Sequence, residues 1–294
     1  GYQAACGDYT CRLKVMLGDT EMEYEILRPD DDGIFRVRTG RMIVSPVASS
    51  EHLDTAEIKC VGERLFDYIN ERLGEAPKDI TWDEPLIREW LPLDTWVVEA
   101  VEELGAWLDH TNCLATIAHS RRLLVPTREK LITPSQFGRV CPFETPEGPN
   151  IGRVLSIAVG AEIRDGRLII GDCPSIHSLR EHSGQSASAS RDKTGQMGSA
   201  ADRTTAGPEC APGACIEGRP EAALGVTASM VPFLEHDDSN RLLMAVNMMR
   251  QWVVPSEPEP ALVRTGNELS APGFWCGRNL LTAFVSWGRD TYED

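Results

Sequence analysis

No apolar run in this 294-residue chain approaches the roughly 18 residues a membrane-spanning helix needs, so no helical span is expected. The opening residues, GYQAACGDYTC, carry no Met, no basic stretch and no apolar core. They do not read as a signal peptide, and the expectation is a fragment or trimmed chain that works in the cytoplasm. CxxC pairs are missing as well. Nine cysteines, at positions 6, 11, 60, 113, 141, 173, 210, 215 and 276, are odd in number and irregular in spacing. That pattern suits reduced thiols better than a disulfide framework. Two C-x4-C pairs, Cys6/Cys11 and Cys210/Cys215, lack the tight knuckles of structural zinc sites. Positive charge is also scarce: a net charge of -16 argues against a simple nucleic-acid binder.

What remains is ordinary globular material, 41% apolar and 25% charged, and long enough for two domains. The charge is uneven. Residues 1–104 hold 23 acidic against 11 basic side chains, residues 105–170 hold 6 against 8, and residues 171–294 hold 16 against 10. The middle segment is therefore a basic island in an acidic chain, and contact with phosphates follows local potential rather than net charge.

Hydrophobic periodicity predicts an α+β fold of β-hairpins and amphipathic helices. In the acidic α+β region 1–104, EYEILR alternates as a strand and IFRVRTGRMIV reads as a hairpin around Thr39-Gly40. DTAEIKCVGERLFDYINERLG has helical spacing, with Asp54 as N-cap and Gly74 as the stop. A second helix is expected from near Asp94, carrying Trp96, Val97, Ala100 and Leu104. In VLSIAVGAEI the residues Leu155, Ile157, Val159, Ala161 and Ile163 alternate as one strand, and Asp165-Gly166 turns it into RLII. Residues 171–220, rich in Ser, Gly, Ala and Pro, are expected to be a disordered insertion. In 221–294, Asp238 and Ser239 cap a helix NRLLMAVNMMRQWV that Pro255 stops. Its core face is Leu242, Ala245, Val246, Met249 and Val253. A polar stripe of Asn240, Asn247 and Gln251, with Arg250 beside it, suits a wet groove that meets phosphates, riboses or base edges.

Within the basic island lies CPFETPEGPNIG, residues 141–152, with three prolines and two glycines. Proline removes a backbone donor and fixes φ, so the segment is neither a helix nor a central strand. A plain connector between two regular stretches is usually shorter and less constrained than this one.

Four segments in order, LDHTNCLATIAHSRRL, GRVCPFETPEGPNIGRVLSI, ALGVTASMVPFLEHDDSNRLLMAVNMMRQWVVP and GRNLLTAFVSWGRDTYED, carry a resemblance. Together they resemble the central part of the bacterial RNA polymerase beta subunit, over roughly 107–160, 221–266 and 274–294, or 121 of 294 residues. The resemblance implies that 105–170 holds the RNA-path, fork-loop and ETPEGPNIG region. It likewise implies that 221–294 holds the nucleotide-site helix and the start of a barrel. Asp109, His119, Arg121 and Arg122 match residues lining the RNA path and the rifamycin-type inhibitor pocket, and Arg128 matches the loop near the downstream fork. Asn150 and Arg241 match residues beside the sugar and triphosphate of the incoming nucleotide, and Gln251 a glutamine near the RNA 3′ end. Glu293 and Asp294 match an acidic pair close to the nucleotide-borne Mg²⁺. Such chemistry suits those residue types: two divalent ions serve nucleotidyl transfer, hard Mg²⁺ takes carboxylate oxygens, and a guanidinium suits a triphosphate.

The triple aspartate that holds the first metal is not in this sequence; in the family it belongs to the beta-prime subunit. The expectation is therefore a beta-like subunit, shortened and C-terminally truncated, that is catalytic only within a complex. Its implied partners are beta-prime and alpha subunits, DNA template, RNA and nucleoside triphosphates, with Mg²⁺ shared with the partner subunit. The sequence departs from the family in an abbreviated fork loop, VPTREKLITPSQ, in the bulky Trp252, and in SWGRDTYED before the acidic pair. A second reading is a non-catalytic, beta-derived module that binds polymerase components. A free-standing carboxylate metallohydrolase ranks last, because no compact Asp/Glu/His set is visible.

Overall fold

The computed structural model describes residues 9–77, 80–126, 133–170, 220–285 and 288. The chain opens with an antiparallel hairpin, β1 (Thr10–Leu17) and β2 (Thr20–Leu27), in which Leu17 pairs with Thr20 across a turn at Gly18, φ 61°. Alternation along β2 buries Met22, Tyr24 and Ile26 and leaves Glu21, Glu23 and Glu25 in solvent. β3 (Ile34–Val37) and β4 (Gly40–Ile43) form the expected second hairpin. Its two turn residues are Arg38 and Thr39, because Val37 pairs with Gly40, so the turn sits one residue earlier than the sequence reading places it. Helices α1 (Val61–Gly74), α2 (Glu84–Trp90) and α3 (Leu93–Leu104) pack on these strands. Ile87, Leu91, Leu93, Val97 and Val101 close a core with Tyr24 and Phe35.

Helix α1 begins seven residues later than Asp54. Residues 58–59 are drawn into a strand: β5 (Val47–Ala48) pairs with β6 (Ile58–Lys59). The helix starts only where the Glu63 carboxylate accepts the Cys60 N–H at 3.0 Å, and Gly74 is its last residue rather than the stop beyond it. β7 (Ala106–Trp107) then returns to pair with β4. Helix α4 (Cys113–Ser120) leads directly into β8 (Arg122–Leu124). With β9 (Val154–Ser156) these strands form a four-stranded sheet in the order β6-β5-β8-β9.

The expected single strand over 154–163 is broken in two. Ile157 bridges Val140, and Val159 and Gly160 donate their N–H groups to Leu224 and Ala222 at 2.8 and 3.0 Å. Gly160 permits this approach, since a Cβ there would stand 3.0 Å from that of Ala222. The chain resumes as β10 (Ala161–Arg164) and β11 (Arg167–Ile170). Between them Asp165 and Gly166 both adopt positive φ, 48° and 70°, as the two-residue turn requires. The expected insertion lies, but for Pro220, outside the described residues.

The last helix, α5 (Ser239–Met249), is capped by Asp238, whose carboxylate accepts the Arg241 N–H at 2.9 Å. It ends earlier than expected. Leu242 and Val246 are buried as foreseen, but Val253 is 88% exposed and Gln251 lies beyond the helix, so the proposed polar stripe is not one helical face. Tertiary hydrogen bonds to the carbonyls of Met249 and Trp252 end it there. No helix among the described residues is long and apolar enough to cross a membrane. Mixed α+β architecture with several small sheets is thus the fold.

Leu123 is fully buried at the centre of the four-stranded sheet, whereas Met244 on α5 is 41% exposed. In urea titrations, Leu123→Ala is expected to lose about 2–5 kcal/mol through the cavity it leaves. Met244→Ala is expected to stay within about 0.5 kcal/mol of the parent.

Candidate nucleic-acid interface

The basic island contributes α4, β8 and the 141–153 loop to a wall that α5 completes. Asn112 caps α4, its Oδ1 accepting the Ala115 N–H at 2.8 Å. Just before it, Asp109 Oδ1 accepts from the Thr111 hydroxyl at 2.7 Å and the Thr111 amide at 3.0 Å. Burial pushes the Asp109 carboxyl upward, but the Thr111 bonds, with His119 and Arg122 nearby, hold it below its ordinary value. The carboxylate is therefore ionised at neutral pH.

His119 sits in the last turn of α4 with 3% of its surface exposed. Its Nδ1 accepts the Asp109 N–H at 3.1 Å, which leaves the proton on Nε2. Burial, then the Arg122 guanidinium, pushes its pKa down to about 4, so the ring is neutral.

The two arginines that follow separate sharply. Arg121 turns inward: Nε donates to the Ile157 carbonyl at 3.2 Å, and Nη2 to those of Ala158 and Ala161 at 2.5 and 3.1 Å. It ties down the backbone that breaks the 154–163 strand. Arg122 is half-buried on β8 opposite Ser156, and its side chain makes no hydrogen bond or ion pair among the described residues. It shares a narrow crevice with Arg250, Glu144 and Ser156. Burial and the Arg250 guanidinium both act against its charge, while Asp109 supports it.

CPFETPEGPNIG is fixed by side chains rather than by a ladder. Glu144, 1% exposed, accepts the Ala228 N–H at 2.8 Å through Oε1 and an Arg250 N–H at 2.8 Å through Oε2. Gly225 leaves room for that carboxylate, for a Cβ there would strike it. Thr145 closes the loop on itself: its hydroxyl donates to the Val154 carbonyl at 3.0 Å and accepts the Gly152 N–H at 2.9 Å. The Thr145 carbonyl accepts from Asn247 Nδ2 of α5 at 3.2 Å. At the tip, a 3-10 turn over Gly148–Asn150 leaves Asn150 exposed.

The structure thus gathers Asp109, His119 and Arg122 into one electrostatic group with Arg250. Arg241 and Gln251 are both exposed, but Arg241 stands in the first turn of α5 and Gln251 two residues past its end. Arg128, Glu293 and Asp294 lie outside the described residues. Among the described residues no group of three His, Cys, Asp or Glu side chains is placed to hold a metal. Sequence reasoning passed over Glu144, Thr145 and Asn112. Only the arrival of a charged residue amid apolar and proline neighbours hinted at the first, and nothing local marked the others.

Two outcomes follow. Glu144→Ala should destabilise the protein by about 3–5 kcal/mol in chemical denaturation, because Arg250 would be left half-buried without its counter-ion. His119 binds its proton less readily when folded than its ordinary value of 6.5 allows, so its contribution to stability is complete above that pH. It is lost as pH falls from 6.5 toward about 4, where the unfolded chain takes up the proton first. His119→Gln should flatten that part of a melting-temperature profile. Residues 106–163, which span α4, β8, the loop and β9, match the family model described as RNA polymerase Rpb2, domain 3.

Proposed function

We propose that the chain serves as a beta-like subunit of a bacterial-type DNA-directed RNA polymerase and forms part of the wall of its nucleotide-addition site. The observation that carries this reading is the joining of the matched segment to α5. Glu144 with Arg250, Thr145 with Asn247, and Asn112 with the end of α5 bind the two into one surface, although these partners are 106, 102 and 137 residues apart in sequence.

Each exposed group then has a task suited to its chemistry. Arg241, at the start of α5, offers to the triphosphate an exposed guanidinium that otherwise donates to the Met244 sulfur at 3.7 Å. Asn150, on the stiff loop tip, offers an amide to the ribose. Gln251 reaches toward the RNA 3′ end. Asp109, His119 and Arg122 belong to the RNA path, with Arg122 as the cation and the buried His119 holding the Asp109 backbone in place. Arg121, whose guanidinium is spent on carbonyls, supports that path from behind. For Arg128, which lies outside the described residues, the proposed partner is the DNA fork.

Mg²⁺, shared with beta-prime, would supply charge neutralisation of the triphosphate and activation of the attacking hydroxyl. Glu293 and Asp294 are the residues proposed to face it. Because they lie outside the described residues, no step is routed through the ion. The chain's own contribution is positioning: a preorganised loop and helix hold nucleotide and RNA end in register, and preorganised placement of reactants removes a large part of a bimolecular barrier. The partners are beta-prime and alpha subunits, DNA and RNA, in the cytoplasm.

The test is reconstitution of the full reading frame with the beta-prime and alpha subunits of its source, followed by primer extension. Arg241→Ala is expected to raise KM for nucleotide and Asn150→Ala to slow extension, each by about tenfold or more. Unchanged extension in both, and in Glu293→Ala/Asp294→Ala, would remove the assigned roles. Failure of the chain to co-purify with polymerase subunits would remove the reading altogether.

A further inference from the structure

We infer that Asn112 is a positioning residue that sets the place of Gln251, and the inference rests on the reading above. Asn112 is only 7% exposed, yet it is 137 residues from Met249 and 140 from Trp252. Its side-chain nitrogen donates to the carbonyls of both, at 3.1 Å each, and its oxygen caps α4 through the Ala115 N–H at 2.8 Å. A carboxamide has two amide hydrogens and one carbonyl oxygen, and here each has its own partner. No other side chain of this size makes that set: Asp keeps the cap but turns a charge on two carbonyls, and Ser has one hydrogen to give.

The two carbonyls bracket Gln251. Met249 ends α5, Gln251 donates its N–H to the Met248 carbonyl at 2.9 Å, and the Trp252 carbonyl is held three residues beyond Met249. The chain thus leaves the helix in a fixed arc whose exposed member is Gln251. Since the same Asn112 starts α4, which carries His119, the position of Gln251 is set relative to the group of Asp109, His119 and Arg122 rather than to α5 alone. Such a bracket converts an otherwise frayed helix end, with unsatisfied carbonyls, into a defined presenting surface.

The experiment uses the reconstituted polymerase of the preceding section, with Asn112→Asp, Gln251→Ala and the double variant. Asn112→Asp is expected to slow extension by about tenfold or more at saturating nucleotide, with KM little changed, since a small misplacement costs rate rather than binding. The double variant should be no slower than Gln251→Ala, because Asn112 acts through that residue. Hydrogen exchange over residues 250–254 should quicken in Asn112→Asp, and restoring the amide should return both readouts. If Gln251→Ala leaves extension unchanged, the role of Gln251, and with it this inference, falls. If Gln251→Ala is impaired while Asn112→Asp is not, or the two defects multiply, the site reading stands and Asn112 is no positioning residue for it. Should Asn112→Asp fail to assemble, Asn112→Ser, which keeps a capping oxygen but loses the paired donors, is read by the same criteria.

Discussion

A buried ion pair, Glu144 with Arg250, joins the proline-rich loop to the end of α5. The Glu144 side chain has almost no solvent contact, and Arg250 and the Ala228 amide both face its oxygens. Three segments far apart in sequence meet at that carboxylate: the proline-rich loop, the turn near residue 228 and the end of α5. Leaving any one of them out would strand a charge in an apolar setting, so the segments must arrive together. The space for the carboxylate is itself specified, by the missing side chain of Gly225. Around this pair the apolar contacts of Leu242, Val246, Ala228 and Val231 supply cohesion, while the ion pair supplies register.

From that constraint follows the electrostatic character of the wall. Arg250, held by Glu144, acts against the charge of Arg122, and together with burial they keep His119 neutral. Asp109 remains ionised because Thr111 hydrogen-bonds it, and its backbone N–H in turn fixes the tautomer of His119. The wall therefore holds a half-buried cation, a buried neutral imidazole and a partly exposed carboxylate side by side. Arg121 and Arg122, identical in type and adjacent in sequence, divide between scaffold and surface because successive residues entering a strand point to opposite faces.

Much of this was legible beforehand. Hairpins marked by a short polar turn, such as Asp165-Gly166, and the α5 start at Asp238 follow from local sterics and capping, which a few neighbouring residues decide. The stiffness of CPFETPEGPNIG was legible for the same reason. The helix boundary of α1 was not, because pairing of Ile58–Lys59 with Val47–Ala48 outcompeted the helical periodicity of the same residues. Nor was the break in the 154–163 strand, where an alternating pattern meets two different sets of partners.

By itself the sequence determined composition, the basic island, local element types and the residue kinds a nucleotide site would need. Tertiary structure alone decided which of those residues stand together. It sent Arg121 inward and left Arg122 at the crevice, placed Gln251 beyond the end of α5, and gave Glu144 and Asn112 roles that no local pattern announces. The physical reason is that turns and caps are satisfied by neighbours in the chain, whereas a buried charge or carboxamide is satisfied only by partners that folding brings from elsewhere.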